Sequence, residues 1–108
     1  MADTLPHATK LKTIIRDRRS HLHLDQERVA NAINMKSGEW VQMLEQGTIA
    51  VPFGNAGQLA DLLKIDRQDF CRWVLYEQEP EFYADLFGTA RGEAPPEPRY
   101  TDAGTASG

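Results

Sequence analysis

The sequence predicts an all-α fold, and three observations carry that prediction. Apolar residues recur three and four positions apart through most of the chain, as they do along the buried side of a helix. No stretch alternates apolar and polar residues for long enough to form a sheet. The composition, with 41% hydrophobic and 26% charged residues among 108, is typical of one packed domain with tails.

Six helices follow from the apolar stripes and from the residues that begin and end them. Asp25 and Ser37 are placed to cap the second and third helices, because their side-chain oxygens can accept hydrogen bonds from free N–H groups. Asn34 and Gly47 tolerate the left-handed backbone that ends helices, and Pro80 interrupts the fifth helix. The predicted helices cover about residues 9–20, 26–34, 38–46, 55–64, 66–79 and 81–87.

The composition changes after Phe87. Pro, Gly, Ala, Ser and Thr dominate the remaining residues, and such a segment buries too little apolar surface to offset the entropy lost on ordering. We therefore expect residues 89–108 to form a disordered tail. A short polar arm, residues 1–8, is expected to be flexible as well.

Charge is distributed unevenly along the chain. Residues 1–36 hold seven Lys and Arg against four Asp and Glu, a net charge of +3. Because the whole chain carries −4, the remaining residues carry −7. The local potential rather than the overall charge decides whether phosphates are attracted, so a nucleic-acid partner is permitted.

Several classes of protein are not expected from this sequence. The apolar runs are far shorter than the roughly 20 residues that cross a bilayer, and the N-terminus lacks a signal-peptide core, which predicts a cytoplasmic protein. The single cysteine, Cys71, cannot form an internal disulfide. Neither a Gly-rich phosphate loop nor a nucleophile motif is present, and His21 and His23 lack partners at metal-ligand spacing. We expect no enzyme activity, no cofactor and no metal.

The most specific pattern lies between residues 25 and 47. It reads DQERVANAI, then a turn, then SGEWVQMLEQG. The Gln-x-x-Val-Ala of the second helix and the Leu-Glu-x-Gly that ends the third closely resemble the helix-turn-helix of the Cro and lambda-repressor type, also called the XRE family. The resemblance covers about residues 11–70 and implies a lambda-repressor-like five-helix DNA-binding domain, followed here by a short additional C-terminal helix and the disordered tail.

The resemblance implies a role for each motif helix, because the first crosses the phosphate backbone and the second enters the major groove. At about 100° per residue the third helix turns Trp40, Val41 and Leu44 inward. The residues expected to read bases are Lys36, Ser37, Gly38, Glu39, Gln42 and Met43. The residues expected to contact phosphates are Gln26, Arg16, Arg18, Gln46, Thr48 and Asn55.

Two features depart from the family pattern. The turn around residues 35–38 is about one residue longer than in the best-known phage repressors. The loop over residues 47–55 has no Lys or Arg, and Glu39 places an anion on the reading face. Either Arg16, Arg18, Lys36 and backbone amides hold the phosphates, or DNA binding has weakened or been lost.

The resemblance also implies an ion pair between the first and third helices. Arg19 and Glu45 occupy positions that pair in similar phage repressors. A bidentate bridge of this kind fixes the recognition helix against the scaffold.

A dimer interface is expected beyond the core, because six of the nine aromatic residues lie between positions 70 and 87. The alternative is that these residues fold back as an intramolecular cap. The residues expected at the interface are Trp73, Tyr76, Phe82, Tyr83, Leu86 and Phe87.

The leading hypothesis is a homodimeric repressor that binds a palindromic operator in double-stranded DNA and occludes a promoter. Two alternatives remain: an antitoxin that regulates its own operon and binds a toxin, and a protein-binding module that has lost the DNA contacts. The predicted organisation is a flexible arm at 1–8, the helix-turn-helix domain at 9–66, dimerisation helices at 67–88 and the tail at 89–108.

Overall fold

Local capping chemistry marks some of the helix ends. The computed structural model describes residues 8–102, and its helices are α1 (Ala8–His21), α2 (Gln26–Ala32), α3 (Gly38–Gln46), α4 (Phe53–Leu63), α5 (Arg67–Gln78) and α6 (Pro80–Phe87). The Asp25 carboxylate accepts the Arg28 N–H at 2.8 Å, and Gly47 ends α3 with a φ of 78°. The predicted all-α class is confirmed for these residues, and the first seven residues of the predicted arm lie outside the described part of the chain.

One hydrophobic core joins the first five helices. The α4 helix packs along α5, α2 packs along α3, and α1 lies against α3, α4 and α5. The largest side chains that are fully buried are Phe70, Ile15, Ile33, Leu59, Leu63, Ile65, Val29, Val41 and Val74. The α2 and α3 helices are therefore fixed to the other helices by apolar contacts, and this determines which face of α3 meets the solvent.

The segment after α6 differs from the prediction. Residues 89–102, here named the C-terminal segment, pack against the helices, and Pro95 and Pro98 are buried. The Asp66 N–H donates to the Arg99 carbonyl at 2.8 Å. The expectation of a disordered tail is wrong for the C-terminal segment, and residues 103–108 lie outside the described residues.

Side chains of α5 hold the C-terminal segment in place. The Trp73 indole N–H donates to the Pro96 carbonyl at 2.8 Å, and the Tyr76 hydroxyl donates to the Gly92 carbonyl at 3.0 Å. The expectation of disorder was based on the composition of the segment itself. The groups that anchor the segment belong to α5, so that composition does not reveal them. Prolines also reduce the entropy that the unfolded segment has to lose.

An ion pair with α5 adds to these anchors. Arg99 donates to both carboxylate oxygens of Asp69, at 2.8 and 3.1 Å. The Arg99 side chain is largely exposed, but that of Asp69 is 9% exposed. The hydrogen bond from Arg99 lowers the pKa of Asp69 below its ordinary value, so the pair strengthens the attachment of the C-terminal segment above acidic pH.

Candidate nucleic-acid interface

A buried polar network connects α1, α2 and α3. The Arg19 guanidinium donates to both carboxylate oxygens of Glu45, from Nε at 2.5 Å and from Nη2 at 3.0 Å. The Gln26 amide, at the beginning of α2, donates to Glu45 Oε1 at 3.1 Å. The Glu45 side chain is 6% exposed, and its hydrogen bond raises the pKa of Arg19. The predicted Arg19–Glu45 pair is confirmed, and it fixes α3 against both neighbouring helices.

The beginning of α3 is held against α2 by Glu27. The Gly38 N–H donates to Glu27 Oε2 at 2.8 Å, and a Cβ on Gly38 would lie 2.9 Å from both that oxygen and the Glu27 backbone nitrogen. Ser37 occupies the N-cap position but its side chain makes no capping bond. Gly38 is buried with its N–H engaged, so the prediction that it reads bases is wrong. Only a glycine allows the two helices to approach this closely.

The outer face of α3 carries the side chains predicted to point away from the core. Val41 and Leu44 are buried, whereas Gln42 and Gln46 are exposed. Trp40, predicted to face inward, is half-buried, as is Met43 at the predicted border. Glu39 is exposed on α3, and Lys36 is exposed in the turn before it. The face therefore presents one carboxylate and two amide side chains along α3, with an ammonium in the turn before the helix.

Basic residues of α1 are divided between two sides of the helix. Lys12, Arg16 and Arg19 are spaced four and three residues apart and share one face. Arg16 is exposed, and its contact with phosphate stays a prediction. The Lys12 side chain packs on Gly47, where its Cδ lies 2.9 Å from the position that a glycine Cβ would take. This face therefore brings a cation to the end of α3.

Arg18 lies on the other side of α1, about 200° around the helix from Arg16. Its Nε donates to the Leu63 carbonyl at 3.0 Å, and its Nη2 donates to Asp102 Oδ1 at 2.7 Å. The guanidinium also lies 4.3 Å from the ring centroid of Tyr100. Arg18 is buried, so the prediction that it contacts phosphate is wrong. Its role is to tie the end of α4 to the C-terminal segment.

The loop between α3 and α4, residues 47–52, contains one of the two weaker phosphate candidates, and α4 contains the other. Thr48 is exposed, and its backbone N–H donates to the Met43 carbonyl at 3.0 Å to close α3. The Asn55 amide donates to the Ile33 carbonyl at 3.3 Å and to Gln58 Oε1 at 3.4 Å. Both hydrogen bonds are long, and the contact of Asn55 with phosphate stays a prediction. Asn55 ties α4 to the end of α2.

Sequence reasoning missed two residues that shape this surface. Lys12 was detectable, because it lies seven residues before Arg19 and therefore shares its face of α1. Glu27 was not detectable, since nothing in the spacing indicates that its carboxylate reaches Gly38, eleven residues later.

Three of the six residues predicted at a dimer interface are buried within their own chain. Trp73, Tyr76 and Tyr83 form a cluster of edge-on rings with centroids 5.5 Å apart. The prediction is wrong for these three, because the C-terminal segment covers Trp73 and Tyr76, and Tyr83 packs against the rings of Tyr76 and Phe87. The other three remain exposed: Phe82 at 56%, Leu86 at 58% and Phe87 at 42%.

Within residues 8–102, no helix is both long and apolar enough to cross a membrane, and no three His, Cys, Asp or Glu side chains are grouped to hold a metal ion. Comparisons of the chain with protein-family models, with curated proteins and with solved structures give no match.

Proposed function

We propose that the protein is a sequence-specific DNA-binding regulator of the XRE, lambda-repressor-like type, acting in the cytoplasm as a repressor that occludes a promoter. The observation that carries this proposal is the buried network of Arg19, Glu45 and Gln26. It holds α3 rigidly while leaving Gln42 exposed. Rigidity matters because base discrimination depends on the geometry of hydrogen bonds.

Base reading is assigned to the exposed face of α3 and to the turn before it. Gln42 can donate and accept in one plane, which is what adenine requires in the major groove. Lys36 and Ser37 lie at the end of α3 that enters the groove, and the Ser37 hydroxyl makes no capping bond. Glu39 can accept a hydrogen bond from the amino group of cytosine. Met43 offers an apolar contact at the edge of this face.

Phosphate binding is assigned to residues around the reading face. Arg16 and Lys12 lie on the face of α1 that leads to the end of α3, and Thr48 and Gln46 are exposed at that end. Gln26 donates one of its two amide hydrogens to Glu45, which leaves the second for a phosphate. These contacts position the protein without reading the sequence.

Dimerisation is assigned to α6. Phe82 and Leu86 are four residues apart, so they lie on one face of this helix, and both are more than half exposed. Two such faces packed together would remove four large apolar side chains from water. A dimer brings two recognition helices to a palindromic operator.

Duplex selection tests DNA binding. The full chain is incubated with a random double-stranded library, and the enriched duplex is titrated by fluorescence anisotropy between 50 and 200 mM salt. We expect one enriched sequence and an affinity that falls as salt rises. Lys36→Ala should weaken binding to every duplex and reduce the salt slope by about one, whereas Arg91→Ala, another exposed cation outside the proposed interface, should leave both unchanged. Absence of enrichment would remove the proposal.

Sedimentation tests the dimer. The wild-type protein should sediment as a dimer at tens of micromolar, and Phe82→Glu with Leu86→Glu should give a monomer of unchanged helix content, because charge on both faces opposes their association. Gln68→Glu, on the exposed side of α5, is the control for added charge. A wild-type monomer, or a dimer indifferent to the α6 changes, would refute this interface.

A protein-binding function is the second candidate. It is favoured by the carboxylate of Glu39 on the reading face and by the exposed Phe82 and Leu86, which suit a partner such as a toxin. The two functions differ in the selection experiment, since a protein-binding module enriches no duplex.

A further inference from the structure

A cavity lies beside the end of α3, the helix proposed to read bases. It has a volume of about 380 Å³ and opens between α1, the α3–α4 loop and the end of α5. Apolar side chains from all of these elements form its walls: Leu11, Ile15, Leu44, Val51 and Val74. This volume is at the small end of the range for ligand sites, which are mostly apolar with a few polar groups.

The Glu77 carboxyl group lines this cavity. It accepts the Leu11 N–H of α1 at 2.9 Å. This hydrogen bond lowers the pKa of Glu77, but burial has the larger effect and raises the pKa to about 7. A partly buried carboxylate with a raised pKa is one whose negative charge is poorly compensated by its surroundings.

Among the described residues, the other charged side chains of the cavity form no ion pair with Glu77. They are Lys12 from α1 and Glu79 from the end of α5. The Lys12 side chain is packed on Gly47, with Nζ 3.4 Å from the position that a glycine Cβ would take. Two carboxylates and one ammonium make the described lining net negative when Glu77 is ionised, so the cavity attracts a cation.

We propose that this cavity binds a small organic cation, a primary amine attached to an aromatic or branched aliphatic body. The ammonium lies against Glu77, where it supplies the missing charge and donates hydrogen bonds to the carboxylate. The apolar body lies against Leu11, Leu44 and Val51. Neutral and anionic molecules of the same shape lack the interaction with Glu77.

The regulatory consequence of this site rests on the proposed function. The Gln78 amide donates to the Val51 carbonyl, so α5 and the α3–α4 loop are linked beside the cavity. A ligand there contacts the loop that carries Thr48 and the end of α3 at Leu44. If the ligand binds the free protein and the DNA-bound protein with different affinities, it changes the affinity of the protein for its operator.

Binding is tested on the full chain without DNA. The probe is 2-phenylethylamine, with 2-phenylethanol as the neutral control and 3-phenylpropionate as the anionic control, titrated by calorimetry. At pH 8 we expect saturable amine binding at least about tenfold tighter than alcohol binding, and no binding of the anion. Amine affinity should fall about tenfold per pH unit below pH 7, because the ligand requires the ionised carboxylate.

Matched variants locate the interaction. Glu77→Gln keeps the shape and a hydrogen-bond acceptor for the Leu11 N–H, so it should weaken amine binding at least about tenfold and remove the pH dependence. Glu79→Gln, at the same cavity, should change it less than about threefold. If Glu77→Gln does not fold, two measurements on the wild-type protein still test the proposal: the pH dependence of amine binding and the ratio of the amine affinity to the alcohol affinity.

Three results would overturn the proposal: no amine binding, equal binding of amine and alcohol, or amine binding independent of pH. Operator binding is measured separately, with and without the amine. A protein that binds the amine but no duplex contradicts only the proposed function, and one that binds a duplex but no amine contradicts only the cavity.

Discussion

The α1–α3 region and the C-terminal half bury their polar groups with different kinds of partner. In the first region, Arg19 and Glu45 are side chains of two helices, and each satisfies the other. In the second, Trp73 and Tyr76 donate to backbone carbonyls of an irregular segment. Outward faces differ as well, since α3 exposes amides whereas α6 exposes Phe82 and Leu86.

This difference shows that two kinds of order support the molecule. The α1–α3 region depends on a few strong, charge-assisted bonds between elements whose helical pattern is visible in the sequence. The C-terminal half contains one such pair, Asp69–Arg99, and depends in addition on a segment without periodicity that covers aromatic rings. Removing either support should expose different surfaces, and four measurements sharpen the contrast.

Removal of the C-terminal segment should have the largest effect. A chain that ends at Gly88 leaves Trp73 and Tyr76 uncovered and deletes their hydrogen bonds, which should cost about 4 kcal/mol of unfolding free energy. Urea denaturation measures the loss, and near-ultraviolet circular dichroism reports the loosened rings. A chain that ends at Asp102 is the control, because it retains every contact described for the C-terminal segment. Equal stability of the Gly88 chain would show that the C-terminal segment does not stabilise the helices.

Arg19→Ala should be nearly as harmful. It leaves Glu45 buried without its cation, at a cost of about 3 kcal/mol. Arg19→Lys should recover part of the lost stability, because it restores a positive charge beside Glu45. The recovery should be incomplete, since an ammonium cannot donate to both oxygens in the same fork geometry. Arg16→Ala is the control, because Arg16 is exposed on the same helix. It should change the free energy of unfolding by less than about 0.5 kcal/mol. Similar denaturation midpoints for all four proteins would show that the network does not hold α3.

Gln42→Ala should affect recognition without affecting folding. On the proposed function, it loses about 2 kcal/mol of preference at one base pair of the selected duplex. Gln68→Ala, which removes an exposed amide of α5, should leave every base preference unchanged. Competition titrations with single-base variants of the duplex measure this. A uniform loss across all base pairs would instead assign Gln42 to the phosphates.

Glu77→Gln should have the smallest effect, and its sign depends on pH. Glu77 joins the two regions, because it lies on α5 and accepts a hydrogen bond from α1. Its pKa in the folded protein is raised to about 7, so its contribution to stability is fully present below about pH 4.5 and is lost as pH rises through 7.

The glutamine of the variant does not titrate. The free energy of unfolding of the variant, relative to that of the wild-type protein, should therefore increase between pH 5 and pH 8. After discounting for solvent screening of a partly exposed group, the gain is about 1 kcal/mol. Urea denaturation at the two pH values measures it. A difference between variant and wild type that does not change with pH would show that burial does not perturb Glu77.

Features that depend on near neighbours in the chain can be predicted from the amino-acid sequence. The Asp25 cap, the left-handed Gly47 and the outward direction of Gln42 follow from interactions within one or two helical turns. The Arg19–Glu45 pair joins distant positions, and it was found through the family resemblance rather than through periodicity. Helix boundaries were predictable because capping and amphipathic spacing are local.

Features whose partners are far away in the chain depend on how the helices pack. Arg18 and Arg16 look alike in the sequence, but a rotation of about 200° around α1 buries one against Leu63 and Asp102 and leaves the other in solvent. The C-terminal segment is ordered by donors on α5, and the raised pKa of Glu77 arises where α1 and α5 meet. Burial and electrostatic environment are sums over neighbours in space, and only the folded chain defines which neighbours those are.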